Sequence, residues 1–221
     1  MKEYVPSTSY GSNLLNSGRT LEALACFLEV RDQWRQEHDG SSSAELEQLL
    51  GICYRMLGRL DTAEHCFAVA FALTEKPEHR ARIKRDWAMV AVAKNDCRRA
   101  AALLDESLEL LGESDDRLEY AATQGFHGRV HAKLGHGLTA QSYYELADSI
   151  LLADAQNSPA RAATYQLNNL VWWLKIATGV QRLRLARRAW RLATQAGNRK
   201  RKLQIASLIV CRPLSVRLFN R

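Results

Sequence analysis

Hydrophobic residues between positions 45 and 57 recur every three or four residues, which is the period of an amphipathic helix. They are Leu46, Leu49, Leu50, Cys53, Tyr54 and Leu57. Gly58 predicts a turn after them, because glycine tolerates the left-handed conformation that closes a helix. A second helix is predicted to follow as far as about Leu73, with Asp61 capping its start and Glu64 completing an approximate capping box. The pattern therefore predicts a helical hairpin.

The same hairpin recurs with the spacing Gly-x6-Gly-x4-Ala-x3-Phe. Two copies stand 40 residues apart, at Gly11, Gly18, Ala23 and Phe27 and at Gly51, Gly58, Ala63 and Phe67. Two further copies are Ala88, Asn95, Ala100 and Leu104, and Gly128, Gly135, Ala140 and Tyr144. A more diverged fifth copy aligns Ala186, Trp190 and Ala193 with Ala140, Tyr144 and Ala147. Small residues at the crossing let two helices approach closely, and a bulky residue fills the space beside them.

Self-similarity at this period is typical of stacked repeat proteins, in which neighbouring units bury one continuous core. The hairpins are predicted at about residues 9–38, 45–73, 78–111, 116–154 and 158–196, with a final helix at about 199–210. We therefore expect an all-α solenoid of about five helix-turn-helix repeats with a C-terminal capping helix. The expected division is a repeat domain over residues 1–197 and a basic helix and tail over 198–221.

The repeated positions resemble the tetratricopeptide repeat family. Repeat two carries the full motif in Leu50-Gly51, Tyr54, Gly58, Ala63, Phe67 and Ala70. Repeat four carries it in Gly128, His131, Gly135, Ala140, Tyr144 and Ala147, with a histidine where an aromatic residue is usual. The usual period is 34 residues, so the spacing of about 40 residues resembles a long-period variety. The resemblance covers about residues 7–196 and implies a right-handed superhelix whose concave face is built from the first helix of each hairpin.

The family's groove-facing offsets imply a set of partner-binding residues on those first helices. They are Gln48, Ile52, Arg55, Arg82, Arg85, Met89, Arg129, Lys133, Val171 and Lys175, with Trp172 beside them as an aromatic anchor. Six of the ten offset positions carry a cation. Such a groove suits an acidic peptide or a helix of a partner protein. The alternative is that these cations merely fill solvent-facing positions.

The net charge of +7 conceals a strong asymmetry along the chain. Residues 1–154 hold 17 Lys and Arg against 24 Asp and Glu, whereas residues 155–221 hold 14 Lys and Arg and no acidic residue. The basic patch predicted there comprises Arg184, Arg187, Arg188 and Arg191 at helical spacing, followed by Arg199, Lys200, Arg201 and Lys202. Its predicted partner is an acidic protein or the chain's own acidic half, within one molecule or by self-association. The alternatives are nucleic acid, although no base-reading motif is present, and a plain solvated surface.

No other sequence pattern indicates a catalytic or metal-binding site. His127 and His131 have a metal-compatible i, i+4 spacing but lack the glutamate of a zinc hydrolase between them, so we expect packed histidines and no metal. The five cysteines show no metal-type spacing, and we expect reduced, buried thiols. No apolar run is long enough for a membrane span or a signal peptide. These observations favour a cytoplasmic, non-enzymatic adaptor, scaffold or regulatory module without a cofactor.

Overall fold

The computed structural model describes residues 7–38, 40–112 and 116–210, except for the side chains of Arg199 and Val210. All secondary structure within these ranges is α-helical, which confirms the predicted fold class. The helices are α1 (Thr8–Asn16), α2 (Thr20–Glu37), α3 (Ala44–Met56), α4 (Leu60–Ala72), α5 (Pro77–Ala93), α6 (Cys97–Gly112), α7 (Arg117–Lys133), α8 (Gly137–Ala153), α9 (Pro159–Trp173), α10 (Gly179–Gln195) and α11 (Arg199–Val210).

The chain divides into two compact units, Met1–Asp115 and Asp116–Arg221. In the first unit, α1 pairs with α2, α3 with α4 and α5 with α6, and each hairpin packs on the next. In the second unit, α7 pairs with α8, α9 packs against both, and α10 contacts α9 and α11. Ile205 on α11 is fully buried in a core shared with α9 and α10. The separate domain proposed for residues 198–221 stays a prediction, and residues 211–221 lie outside the described part.

Glycine and an aromatic ring occur together where the two helices of a hairpin cross. A Cβ atom added to Gly51 would lie 2.9 Å from the ring of Phe67, and one added to Gly128 would lie 2.7 Å from that of Tyr144. Gly11 faces Phe27 in the same way. The third hairpin has Ala88 and Leu104 at these positions, both fully buried. The space between the two helices is limited, so an alanine at the crossing is paired with a leucine, whereas a glycine is paired with an aromatic ring.

The turn inside each hairpin requires a positive φ. Gly18, Gly58 and Gly135 have φ values of 85°, 77° and 80°. Asn95 occupies the equivalent place in the third hairpin with φ 68°. Asparagine adopts this left-handed region more readily than most residues, which explains how the repeat survives the loss of its turn glycine.

The prediction that Asp61 caps α4 is wrong. Arg59 holds the N-cap position, and no side chain bonds there. Asp61 lies inside the first turn, and its carboxylate accepts a hydrogen bond from Lys94 Nζ at 2.6 Å. Glu64 accepts a second bond from the same ammonium group at 2.6 Å. Both acidic residues therefore connect this hairpin to the next instead of closing their own helix.

The expected match between Trp190 and Tyr144 also fails in the structure. Tyr144 is fully buried, whereas Trp190 is 45% exposed. The buried face of α10 is made largely of small residues, among them Ala189 and Ala193. Trp173 on α9 supplies the bulk instead, with its ring centroid 6.3 Å from that of Tyr144. The indole of Trp190 is consequently left at the surface.

The described cysteines behave as small core residues. Cys26, Cys53, Cys66 and Cys97 are all buried and free, as expected, while Cys211 lies outside the described residues. Burial raises the pKa of the Cys53 thiol to about 11 and that of Cys66 to about 12. Both thiols therefore stay protonated at neutral pH. In the described part of the chain, each helix is too short or too polar to span a bilayer.

We expect Gly51→Ala to destabilise the protein, because the new methyl group overlaps the Phe67 ring. Overpacking of this kind costs about 1–3 kcal/mol, against roughly 1 kcal/mol gained by replacing glycine within a helix. Adding Phe67→Leu should recover stability by reproducing the Ala88–Leu104 pairing of the third hairpin. Urea unfolding of the wild type, both single variants and the double variant measures the coupling. A Gly51→Ala protein more stable than the wild type would contradict the argument.

Candidate functional site

The first unit has an open pocket of about 530 Å³ between α3 and α5. Four of the predicted groove residues line it, namely Gln48, Ile52, Arg82 and Arg85. Glu45, Leu49, Lys76, His79 and Asp86 complete the lining. The first helices of two consecutive hairpins therefore line one pocket, and the binding role of these residues stays a prediction.

This pocket carries both signs of charge. Gln48 donates to the carboxylate of Asp86 at 2.7 Å, and its amide oxygen lies 3.0 Å from His79 Nε2. Burial lowers the pKa of Arg55, and the charge of Asp86 opposes that shift. Burial and the charge of Arg82 together lower the pKa of His79. The carboxylate of Asp86 thus compensates part of the positive charge that the sequence predicted here.

In the second unit, the indole of Trp172 lies against two cations. The guanidinium carbon of Arg129 is 3.8 Å from the centroid of the Trp172 ring, and Lys175 Nζ is 3.5 Å from it. Arg129 lies on α7. Trp172 lies near the end of α9, and Lys175 follows just after that helix. Contacts of this type are worth about 0.5–2 kcal/mol each, so the ring and both cations hold one another in place.

A third cation reaches the same place from α11. The Arg201 guanidinium donates to the side-chain oxygen of Asn168 on α9 and to Gln204 at 2.7 Å. Burial lowers the pKa of Lys175 first, and the charges of Arg129 and Arg201 lower it further. We refer to Arg129, Asn168, Trp172, Lys175 and Arg201 as the Trp172 surface. All five side chains are partly buried.

The sequence assigned Arg201 to the basic patch because it stands in a run of four cations. Its actual place follows from the order of the helices, since α11 comes after a complete hairpin, as α7 and α9 do. That order was the signal by which Arg201 could have been found. Asn168 carried no such signal.

Two predicted groove residues add little or nothing to either surface. Met89 is only 3% exposed, and Val171 is fully buried in the core of the second unit. Their assignment to a ligand-contacting groove is therefore corrected. Lys133 is exposed at the end of α7. The family offsets fail at Met89 and Val171 because these apolar side chains pack inward among the helices.

Arg188 of the predicted basic patch is bonded within the fold. Arg188 pairs with Asp148 on α8 through both guanidinium nitrogens, at 2.9 and 3.1 Å. Among the residues that the structure describes, no carboxylate pairs with the exposed Arg184, Arg187 and Arg191. Lys200 is exposed and Lys202 partly buried, while the side chain of Arg199 lies outside the described part.

Part of the basic segment therefore contacts acidic residues that precede it. Besides Arg188, Arg161 donates to Asp116 and to the buried Glu119, at 2.7 Å each. Tyr165 also donates to Glu119, at 2.6 Å. The expectation of contact between the basic segment and the acidic half thus holds for Arg161 and Arg188.

The histidines of α7 pack against an aromatic ring. His127 is almost fully buried, with its ring centroid 5.1 Å from that of Tyr143, and His131 stacks on the same ring at 5.2 Å. Within the described ranges, His, Cys, Asp and Glu side chains nowhere cluster in a group of three that could hold a metal ion.

Comparison with protein families agrees with these hairpins. A family model described as tetratricopeptide repeat matches residues 5–76, the stretch that contains α1 to α4. This part of the chain is therefore similar to tetratricopeptide repeats, which form protein-interaction modules.

Solved structures extend the tetratricopeptide repeat fold over most of the chain. BtubC from P. vanneervenii has 21% identity and a TM-score of 0.58, with 85% of this chain and 78% of that chain covered. The apo form of RapI has 15% identity, a TM-score of 0.66 and coverages of 91% and 74%. The repeats of a putative kinesin light chain from Podosopora anserina have 15% identity, a TM-score of 0.51 and coverages of 91% and 91%. These likenesses concern the fold alone. No curated protein matches the sequence.

We expect Arg188→Met to destabilise the protein, because it leaves the nearly buried Asp148 carboxylate without its cation. Breaking a fully buried pair costs about 3–5 kcal/mol. Since the Arg188 side chain is 38% exposed, the expected loss is nearer about 1–2 kcal/mol after screening by solvent. Denaturant unfolding measures it. The matched control is Arg187→Met on the same helix, where a change within about 0.5 kcal/mol is expected. Equal losses in the two variants would contradict this account.

Proposed function

We propose that this chain is a non-enzymatic, cytoplasmic adaptor or regulatory module whose Trp172 surface binds an acidic peptide or partner helix. The observation that supports this most directly is the meeting of Arg129 and Lys175 on one partly exposed indole, with the charge of Arg201 acting on Lys175. Arg129 and Lys175 lie on, or directly follow, first helices that the family resemblance assigns to ligand binding, and Arg201 lies on α11.

The electrostatics of the Trp172 surface favour an anionic ligand. Besides burial, the charges of Arg129 and Arg201 both lower the pKa of Lys175. A lowered lysine pKa means that the charged ammonium form is disfavoured where it stands. A carboxylate placed between Lys175, Arg129 and Arg201 would relieve that repulsion. Binding energy is thus available to an acidic group before any other contact forms.

The indole supplies the other half of the recognition. A tryptophan at a partly exposed position offers a large, rigid apolar face, which is the kind of residue that dominates binding energy at interfaces. Cations held against its ring lose little further entropy when a ligand binds, because their positions are already fixed. The Trp172 surface therefore suits a peptide that carries acidic residues beside an apolar one.

The pocket between α3 and α5 in the first unit offers hydrogen bonds to a ligand more than positive charge. Asp86 and Glu45 lie among its cations, and Gln48 and His79 are hydrogen-bonded to each other. Its own carboxylates already compensate part of the charge, so net attraction for an acidic ligand is weaker there. Directional hydrogen bonding to a peptide backbone or polar side chain is the contribution that its residues offer.

Substitution of the Trp172 surface tests the proposal. Trp172→Ala and the pair Arg129→Ala with Lys175→Ala should each weaken the binding of acidic peptides by about tenfold or more, or about 1.4 kcal/mol. The measurement is fluorescence anisotropy, with ligands selected from an array of acidic peptides that differ in their apolar residue. Raising the salt concentration should weaken binding because the charges are partly exposed.

The control is Arg98→Ala, which removes an exposed cation from α6 and should leave binding unchanged. The affinity of the wild type should also fall at alkaline pH, because Lys175 loses its charge below the usual lysine range. Lys175→Arg should remove that fall. An array on which neutral peptides bind as well as acidic ones, or binding that survives Trp172→Ala, would overturn the proposal.

A further inference from the structure

The end of the second unit has an apolar pocket that belongs to neither surface described above. It encloses about 600 Å³ between one face of α10 and the last turn of α11. Its lining comprises Leu183, Ala186, Arg187, Trp190, Arg191, Thr194, Gln195 and Ile209. Leu183, Trp190 and Ile209 are 54%, 45% and 43% exposed. We call this the α10–α11 pocket.

Exposed apolar side chains of this size, grouped together, mark an interaction surface. The equivalent aromatic of other hairpins is buried, as Phe67 and Tyr144 are, so the exposure of Trp190 is peculiar to this end of the repeats. Arg182 donates to the main-chain oxygen of Leu208, which fixes α11 against the start of α10. The walls of the pocket are therefore held by packing and a hydrogen bond.

The position of α11 shows what shape of ligand fits. In a preceding hairpin, the first helix packs both on the hairpin before it and on its own second helix. For example, α5 packs on α4 and on α6. The α11 helix packs on α10 in the same way and buries Ile205. Among the described residues, no further helix packs on α11. The pocket thus has the setting in which a helix would continue the stack.

The charges at the pocket indicate which charged residues such a helix would carry beside its apolar face. Arg187 and Arg191 line the pocket, and Lys202 Nζ lies 5.9 Å from the centroid of the Trp190 ring. Within the described ranges no carboxylate pairs with Arg187 or Arg191, and residues 155–221 contain no acidic residue at all. Residues 211–221 add three further arginines, so a helix from this segment would bring like charge to Arg187 and Arg191. An acidic partner is the electrostatic match.

We propose that the α10–α11 pocket docks an amphipathic helix of a partner protein, with its apolar face on Leu183, Trp190 and Ile209 and acidic residues beside Arg187 and Arg191. The helix adds one element to the end of the repeat stack. This mode of binding differs from a peptide held at the Trp172 surface, and either can exist without the other. Nucleic acid fits less well, because phosphates would contact the arginines and leave Leu183 and Ile209 exposed to water.

A designed peptide tests the proposal directly. The probe is a fluorescein-labelled helix of about 15 residues, or about four turns, with leucines along one face and glutamates on both flanks. A scrambled peptide of identical composition is the comparison. We expect the amphipathic probe to bind the full chain at least about tenfold more tightly than the scrambled one. Arg187→Glu with Arg191→Glu should abolish that preference, as should Leu183→Asp.

The matched control is Arg184→Glu, which reverses an exposed charge on the same helix outside the pocket. It should change the affinity less than about twofold. Circular dichroism of each variant excludes unfolding as the cause. Loss of binding in Trp172→Ala alone would place the probe at the other surface and overturn this inference without affecting the proposed function.

Three other outcomes would also overturn it. One is equal binding of the scrambled peptide, since that would show simple charge attraction. Another is displacement of the probe by a single-stranded oligonucleotide at moderate salt, if the variant with Arg187→Glu and Arg191→Glu no longer binds that oligonucleotide. The third is sedimentation of the wild type as a dimer that dissociates in Leu183→Asp, since a second copy would then occupy the pocket.

Discussion

The close crossing of the two helices in a hairpin determines which residues can reach a surface. Gly51 leaves room for the Phe67 ring, Gly128 does the same for Tyr144, and Ala88 is matched by the smaller Leu104. Tight crossing brings the second helix onto the first and turns the opposite face of the first helix away from its own partner. The side chains on that face are then free to meet those of the next first helix, as in the pocket between α3 and α5.

The repeat loses this crossing in the fifth hairpin, and the surface chemistry changes there too. Alanines occupy the buried face of α10, and Trp173 of α9 fills the core instead. The aromatic side chain that the repeat would bury is then exposed as Trp190. A departure from the repeat thus supplies an apolar contact surface that the regular hairpins lack. A side chain that packs in the core cannot also contact a ligand, so such a surface arises only where the regular packing is lost.

Much of the fold could be predicted from the sequence, because the helical period and the turn residues are local signals. Asn95 is an example, since its place in the repeat predicted a turn and its φ of 68° confirms it. Interactions between distant residues could not be predicted in the same way. Asp61 satisfied the local pattern of a cap, but its partner is Lys94, in the following hairpin. Arg188 belonged to a regular cationic stripe, yet Asp148 takes it out of that stripe. Spacing alone does not reveal which cation has a carboxylate facing it.

The described cations between residues 155 and 210 therefore have different surroundings. Arg161 and Arg188 are bonded to carboxylates that precede them and contribute to stability. Arg201 joins Lys175 beside Trp172, and Arg187 and Arg191 face an apolar pocket. Arg161 and Arg188 are only partly exposed, and their carboxylate partners Glu119 and Asp148 are nearly buried. Because solvent weakens an ion pair, burial of the carboxylates strengthens these two pairs. Arg187 and Arg191 have no carboxylate partner within the described ranges and line a pocket with the exposed Trp190, so charge and apolar surface occur together there.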